Sequence, residues 1–177
     1  MRTRRATSVD AAAIARIYNE GIDDRTATFD TEPRTTADIL EWLEAGHPLV
    51  VAEEDGKVAA WAVSHPYSTR PVYAGVGDYS VYVARDRRGG GLGRAALAAL
   101  IEECDARGYW KLLSRIFPQN EASLALARSL GFREVGVYRR HGKLDGQWLD
   151  CVIVEILLGP AARQEAPAGG HSSSSSA

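Results

Sequence analysis

The segment Val81-Tyr82-Val83-Ala84-Arg85-Asp86-Arg87-Arg88-Gly89-Gly90-Gly91-Leu92-Gly93-Arg94 constrains this chain more than any other. The β-branched and aromatic residues from Tyr79 to Ala84 predict a strand. Arg85 to Gly91 is polar and glycine-rich, and Leu92 to Arg107 predicts a long helix with Leu97, Leu100, Ile101 and Cys104 on one face. Glycine lets the backbone turn sharply and lets a ligand approach its amides. A helix start adds unpaired N–H donors and a partial positive charge. Together they predict an anion site suited to phosphate, with Arg87, Arg88 and Arg94 adding charge around it.

Several readings of such a loop compete. A Walker A loop needs Gly-Lys-Ser/Thr, and Arg94-Ala95 follows Gly93 instead. Gly91-x-Gly93-x-x-Ala96 matches a dinucleotide fingerprint. That fingerprint also needs a tight turn straight after the strand and an acidic residue ~20 positions on, and Leu112-Leu113-Ser114 has no carboxylate. A helix merely entered through glycines is the plainest alternative, and it leaves three neighbouring arginines to repel one another.

The remaining chain predicts one α/β domain over residues 1–159, a length that leaves no room for two full-sized domains. Arg2 to Ala6 predicts a first strand, and Ile14, Ile17, Tyr18, Gly21 and Ile22 a helix over 9–23 behind the capping residues Ser8 and Asp10. Thr26 to Pro33 is a loop, and Thr35 starts a second helix that stops near Gly46 and Pro48. Leu49 to Ala52 and Val58 to Val63 pair around Asp55-Gly56. After the loop from Pro66 to Gly75 comes the strand–glycine–helix segment, followed by a strand over Trp110–Phe117. Asn120 then caps a helix that ends at Gly131. Arg133 to Arg140 and Gln147 to Leu158 close the fold as two strands around a Gly142–Gly146 turn. The order β-α-α-β-β-β-α-β-α-β-β predicts a mixed, mainly antiparallel sheet flanked by helices. Residues 160–177 are Pro, Gly, Ala and Ser with a terminal Ser run, and are expected to be a disordered tail.

Charge and cysteine content remove several functions. Lys+Arg 21 against Asp+Glu 23 gives a net charge of −2, which argues against a nucleic-acid partner. No apolar run approaches the ~20 residues of a membrane span, and no secretory leader follows the basic N-terminus. A cytoplasmic protein is expected. Cys104 and Cys151 form no CxxC, and no His, Cys or carboxylate spacing predicts a metal site. His65 and His141 are read as structural or peripheral, and the pairs Arg4-Arg5 and Arg139-Arg140 as solvated strand-end charges.

Arg88-x-x-Gly91-x-Gly93 resembles the Q/R-x-x-G-x-G/A signature of the GNAT superfamily of N-acetyltransferases, between a central strand and the long third helix. Asn120-Glu121-Ala122-Ser123 through Leu130-Gly131-Phe132 is similar to the family's N-x-x-S…L-G-F segment, and the resemblance covers residues 2–158. Tyr18-Asn19, Thr26-Ala27-Thr28-Phe29, Glu32-Pro33, Ser64-His65-Pro66-Tyr67, Arg70-Pro71, Asp78-x-Ser80-Val81-Tyr82-Val83 and Trp148-x-Asp150 resemble the branch that acetylates phosphinothricin and arsinothricin. That branch usually carries Glu where Asp78 stands, one methylene longer.

The resemblance implies the GNAT fold, acetyl-CoA as cosubstrate, a small-molecule amine acceptor and a homodimer through the C-terminal strands. It implies that Val81, Tyr82, Val83, Arg88, Gly89, Gly90, Gly91, Gly93, Arg94 and Asn120 hold the coenzyme. It makes Asp78 the general base, where position alone would read a turn-capping aspartate after Gly75-Val76-Gly77. Phe29, Arg70 and Tyr73 are the candidate acceptor wall, with Arg70 facing an acidic group. Ala127 stands where many members place a tyrosine acid; Tyr138 and Tyr82 are possible substitutes and no general acid is assigned. An acetyltransferase of protein N-termini or other amines, and a non-catalytic acyl-CoA sensor, stay open as alternatives.

Overall fold

The structure, a computed structural model, describes residues 1–163. Seven strands form one sheet: β1 Arg2–Arg5, β2 Leu49–Glu54, β3 Lys57–Pro66, β4 Val76–Val83, β5 Lys111–Ile116, β6 Arg133–Leu144 and β7 Gln147–Leu157. The helices are α1 Ala11–Asp23, α2 Thr36–Glu44, α3 Leu92–Ala106, α4 Glu121–Ser129 and a short α5 Gly159–Arg163. The sheet order is β1-β2-β3-β4-β5-β7-β6, and only β4 and β5 run parallel. This is the predicted mixed, mainly antiparallel sheet.

Alternation along the strands makes two cores. Val51, Trp61, Val63 and Tyr82 face α1 and α2, which contribute Ile14, Ile17, Tyr18 and Ile39. Val50, Ala60, Ala62, Tyr79, Leu112 and Val154 face the other way, against Leu97, Leu100 and Cys104 of α3 and Leu124 of α4. Leu97 and Leu100 are fully buried, worth about 1.5–3 kcal/mol each. Both cysteines are buried and free, and burial pushes the Cys104 thiol up to about 12, so it stays protonated.

Several local expectations change. β4 begins at Val76, not Tyr79, because Gly77 packs as a strand residue. A Cβ there would lie 2.1 Å from Ser64 Oγ and 2.8 Å from Leu112 Cδ2, so only glycine lets β4 sit between β3 and β5. Asp78 is therefore a strand residue opposite His65, not a turn cap. Arg4 is not a solvated charge: it forks onto the buried Asp10 at 2.7 and 2.8 Å and reaches Glu53 through Nε at 2.9 Å. Those hydrogen bonds hold the Asp10 carboxyl below its usual range, against the opposing effect of burial. Arg5 pairs with Glu103 at 2.7 Å. β6 runs on through Gly142 to Leu144, with a register shift between Tyr138 and Gly142. Arg140 sits inside that irregularity at φ 51, its amide donating to Asp150 Oδ1 at 2.7 Å, so it is not at a strand end. Residues 160–163, expected in the tail, close α5; the expected disorder of 164–177 lies outside the described residues.

Candidate active site

β4 and β5 pair at Val76–Lys111, Gly77–Leu112 and Asp78–Leu113, and no pair is made beyond. β3 meanwhile stays paired with β4 as far as Val83. The sheet therefore opens like a V whose vertex is Asp78. The hydrogen bonds Tyr67 N to Val76 O (3.1 Å) and Ala84 N to Ala59 O (2.8 Å) fix the phase of β4. Even-numbered residues bond β3, so Tyr79, Val81 and Val83 turn their backbone groups the other way. With β5 gone, the N–H and C=O of Val81 and the N–H of Val83 face the opening. Five residues of strand, about 17 Å, separate Val83 from Asp78.

Tyr82 does something different. Its backbone faces β3 and its ring stacks on Trp61 at 4.9 Å, beside Tyr18 at 4.7 Å. Burial pushes its phenol far above the ordinary value, so it is a neutral packing group. Tyr138 is half exposed on β6.

At the wide end of the V, Gly91 caps α3 with φ 82 and Gly89 has φ 83, conformations that cost other residues about 1–2 kcal/mol. The amides of 89–94 have no hydrogen-bond acceptor among the described residues. No heavy atom comes within 4 Å of where a Gly89 Cβ would be, so the loop's surface is open. Gly93 closes the helix onto the strand: a Cβ there would lie 3.1 Å from Val83 Cγ2. The three arginines do not crowd one another. Arg88 lies 2.7 Å from Asp24, Arg87 3.3 Å from Glu54, and Arg94 donates to Ser129 O and Oγ at 2.8 Å. Burial works to raise the Asp24 carboxyl, and the bonds from Arg88 and Arg85 override it, so the group stays ionised.

A cleft of about 320 Å³ fills the V, lined among others by Phe29, Asp78, Val81, Arg115, Asn120 and His141. Asn120 caps α4 by accepting from Ser123 N at 3.2 Å and donates to Thr26 O at 3.2 Å, tying α4 to the 24–33 loop. Phe29 packs edge-on against Phe117 at 4.8 Å, so one ring serves both core and cleft. The other two expected wall residues lie elsewhere. Tyr73 lines a second cavity of about 330 Å³, with Tyr67, Tyr138 and Glu155. Arg70 lines neither cavity and stands over the Tyr73 ring at 5.5 Å.

His141 and Arg115 are among the cleft residues not assigned from the sequence. His141 reaches the cleft because the β6 irregularity redirects it, a departure that no spacing signals. Arg115 pairs with Asp78 across the opening and lines both cavities. Its signal was present: Leu112 and Ile116 alternate into the core, leaving a cation on the other face of a central strand. His65, the β3 partner of Asp78, lies against Trp42 and His47, each at 4.8 Å. Burial first, then the charges of His47 and Arg34, push it down to about 4.

The open amides at 89–94 and the free edge of β4 suit a ligand with a phosphate end and an extended amide-bearing arm. Comparison with known proteins agrees with this shape. The sequence profile described as the acetyltransferase (GNAT) family matches residues 14–132. The chain is 34% identical to the L-amino acid N-acyltransferase MnaT of Escherichia coli K12, over 89% of this chain and 94% of that protein. A crystal structure of a GNAT superfamily phosphinothricin acetyltransferase from Sinorhizobium meliloti, in complex with acetyl-CoA, superposes with a TM-score of 0.85. It is 28% identical, over 98% of this chain and 96% of that one. A ribosomal-protein-alanine N-acetyltransferase from Brucella melitensis also gives a TM-score of 0.85, at 36% identity, over 89% and 100% of the two chains. With profile, relatives and splayed sheet in agreement, the chain belongs to the GNAT family of acetyltransferases.

Proposed function

We propose that this enzyme moves an acetyl group from acetyl-CoA to the primary amine of a small amino-acid-like acceptor, of which phosphinothricin is the type, in the cytoplasm. The observation that carries the reading is the V between β4 and β5, with free amides at its mouth and a carboxylate at its vertex. The likeness to an amino-acid N-acyltransferase and to a phosphinothricin acetyltransferase supports the acceptor class.

Bound acetyl-CoA supplies the activated acyl group as a thioester. The amides of 89–94 hold its diphosphate, and Val81 and Val83 pair with its arm and set its depth in the V. The N–H of Val81, the free β4 amide nearer Asp78, is placed to donate to the thioester carbonyl oxygen as charge gathers there. An acceptor ammonium has a pKa of ~8 to ~10 and must lose a proton before it attacks. Asp78 Oδ1 or Oδ2 takes that proton, directly or through one water; the amine nitrogen then bonds the acetyl carbon, the C–S bond breaks, and CoA leaves as its thiolate. Phe29 covers the acceptor from the 24–33 loop.

A thiol-release screen with acetyl-CoA tests the reading, across phosphinothricin, methionine sulfoximine, other amino acids, polyamines and peptides with free N-termini. Strong release with amino-acid-like amines is expected. Release with peptides alone would favour the second reading, acetylation of protein N-termini, which the likeness to the ribosomal-protein-alanine enzyme supports. Coenzyme binding without turnover on any amine would indicate an acyl-CoA sensor.

The active form is a homodimer through the C-terminal strands. Val135, Val137 and Tyr138 on β6 are about half exposed, as is Trp148 on β7, an apolar set that a second copy would cover. Light scattering at working concentration should give twice the chain mass, and a monomer would overturn the assignment.

A further inference from the structure

We infer that Arg115 is the anion anchor of the acceptor site, the cationic half of a receptor for amines that carry a carboxylate on the neighbouring carbon. The inference rests on the reading of Asp78 as the group that meets the acceptor amine.

The argument starts from the strand. On β5, Leu112 and Ile116 point into the α3 core, so Arg115 points to the opposite face. By then β5 has left β4, and Arg115 stands on the far lip of the opening from Asp78. The two side chains bridge that gap as an ion pair. They remain 40% and 21% exposed, so a small ligand can reach both.

Their neighbours are committed elsewhere. Lys111 and Arg133 both pair with Glu155. Asp30 takes hydrogen bonds from Tyr18 at 2.7 Å and Arg34 at 2.8 Å. Among the described residues, Asp78 and Arg115 have only each other. The pair also stands where the two cavities meet, since Arg115 lines both.

An adjacent carboxylate and guanidinium form the complement of an adjacent ammonium and carboxylate. A zwitterion can exchange one internal pair for two: its ammonium goes to Asp78 and its carboxylate takes the Arg115 fork. An amine without a carboxylate gains Asp78 but leaves the guanidinium with no partner. A peptide N-terminus is in the same position, because an amide replaces the carboxylate beside its amine. Arg115 therefore selects free amino acids over both.

The test compares three acceptors: methionine sulfoximine, its carboxamide, and the amine left by removing its carboxyl group. The wild-type enzyme should show the highest kcat/KM on the free acid. Arg115→Ala should narrow the acid-to-carboxamide ratio roughly 10- to 100-fold, mainly through KM, as loss of a charged hydrogen-bond pair does. Arg115→Lys should keep part of the preference. Acetyl-CoA binding by calorimetry, measured on the same proteins, reports that the fold is intact. A wild-type enzyme that accepts the carboxamide as well as the acid would overturn the assignment. So would an Arg115→Ala enzyme that loses the same factor on all three acceptors, since Arg115 would then act only through Asp78. If peptides are acetylated and none of the three amines is, the small-acceptor reading fails first and Arg115 falls with it.

Discussion

The two ends of the V are built in opposite ways. At the mouth, residues 88–94 are contiguous and present backbone amides at a helix start. At the vertex, Phe29, Asp78, Arg115 and His141 come from a loop and three different strands, and present side chains. At the mouth each arginine already has a protein partner. At the vertex Asp78 and Arg115 have only each other among the described residues, and that pair is the proposed chemistry. On the proposed reading, the difference teaches that a phosphate grip is written into seven contiguous residues, whereas acceptor choice is a property of how strands diverge.

Three substitutions probe that division. The largest effect belongs to the vertex. Asp78→Asn should lower kcat roughly 100- to 10,000-fold with acetyl-CoA affinity kept, measured by thiol release and calorimetry. Full activity would remove Asp78 from the mechanism. Next comes the mouth: Gly91→Asp places a side chain at φ 82 and a negative charge on the helix start. It should weaken acetyl-CoA binding about 100-fold or more by calorimetry, and retained binding would separate the glycine loop from the coenzyme.

The third effect is on stability and belongs to β3, where His65 pairs with Asp78 and packs against Trp42 and His47. Unfolded, His65 takes a proton near its usual 6.5; folded, it resists down to about 4. Between those values the unfolded chain binds more protons, so stability falls as the pH falls, by at most about 3 kcal/mol. His47, also pushed down by burial, adds in the same sense. Asp10, Asp24 and Asp30 have carboxyls held below 3.8, so their contributions are lost only at lower pH. Denaturant unfolding between about pH 7 and pH 4.5 should show the loss, and His65→Gln should flatten it. An unchanged slope in the variant would assign the acid sensitivity elsewhere.

Much of the fold was legible because its signals are local. The helix faces of Ile14, Ile17 and Ile22 and of Leu97 and Leu100, the Asp55-Gly56 hairpin and the Asn120 cap all act within a few residues. The element order follows from them. What was misjudged depended on distant partners. Val76-Gly77 read as part of the turn because glycine weakens strands, and it is Ser64 and Leu112 that require glycine at 77. Arg4 read as solvated because Glu53, one of its two acids, is 49 residues away. Arg70 and Tyr73, read as acceptor wall from motif order, lie outside the cleft that holds Asp78: Tyr73 lines the second cavity, which Arg115 also lines, and Arg70 stands over its ring.

The sequence by itself determined the glycine-entered start of α3 and the hydrophobic alternation that makes one seven-stranded sheet with two cores, since both are periodic or contiguous and need no distant residue to act. Only the tertiary structure decided where β5 parts from β4, and so which carboxylate meets which arginine. Past Asp78, β5 stays paired with β7 while β4 stays paired with β3, a balance of long-range pairing that no window of sequence contains.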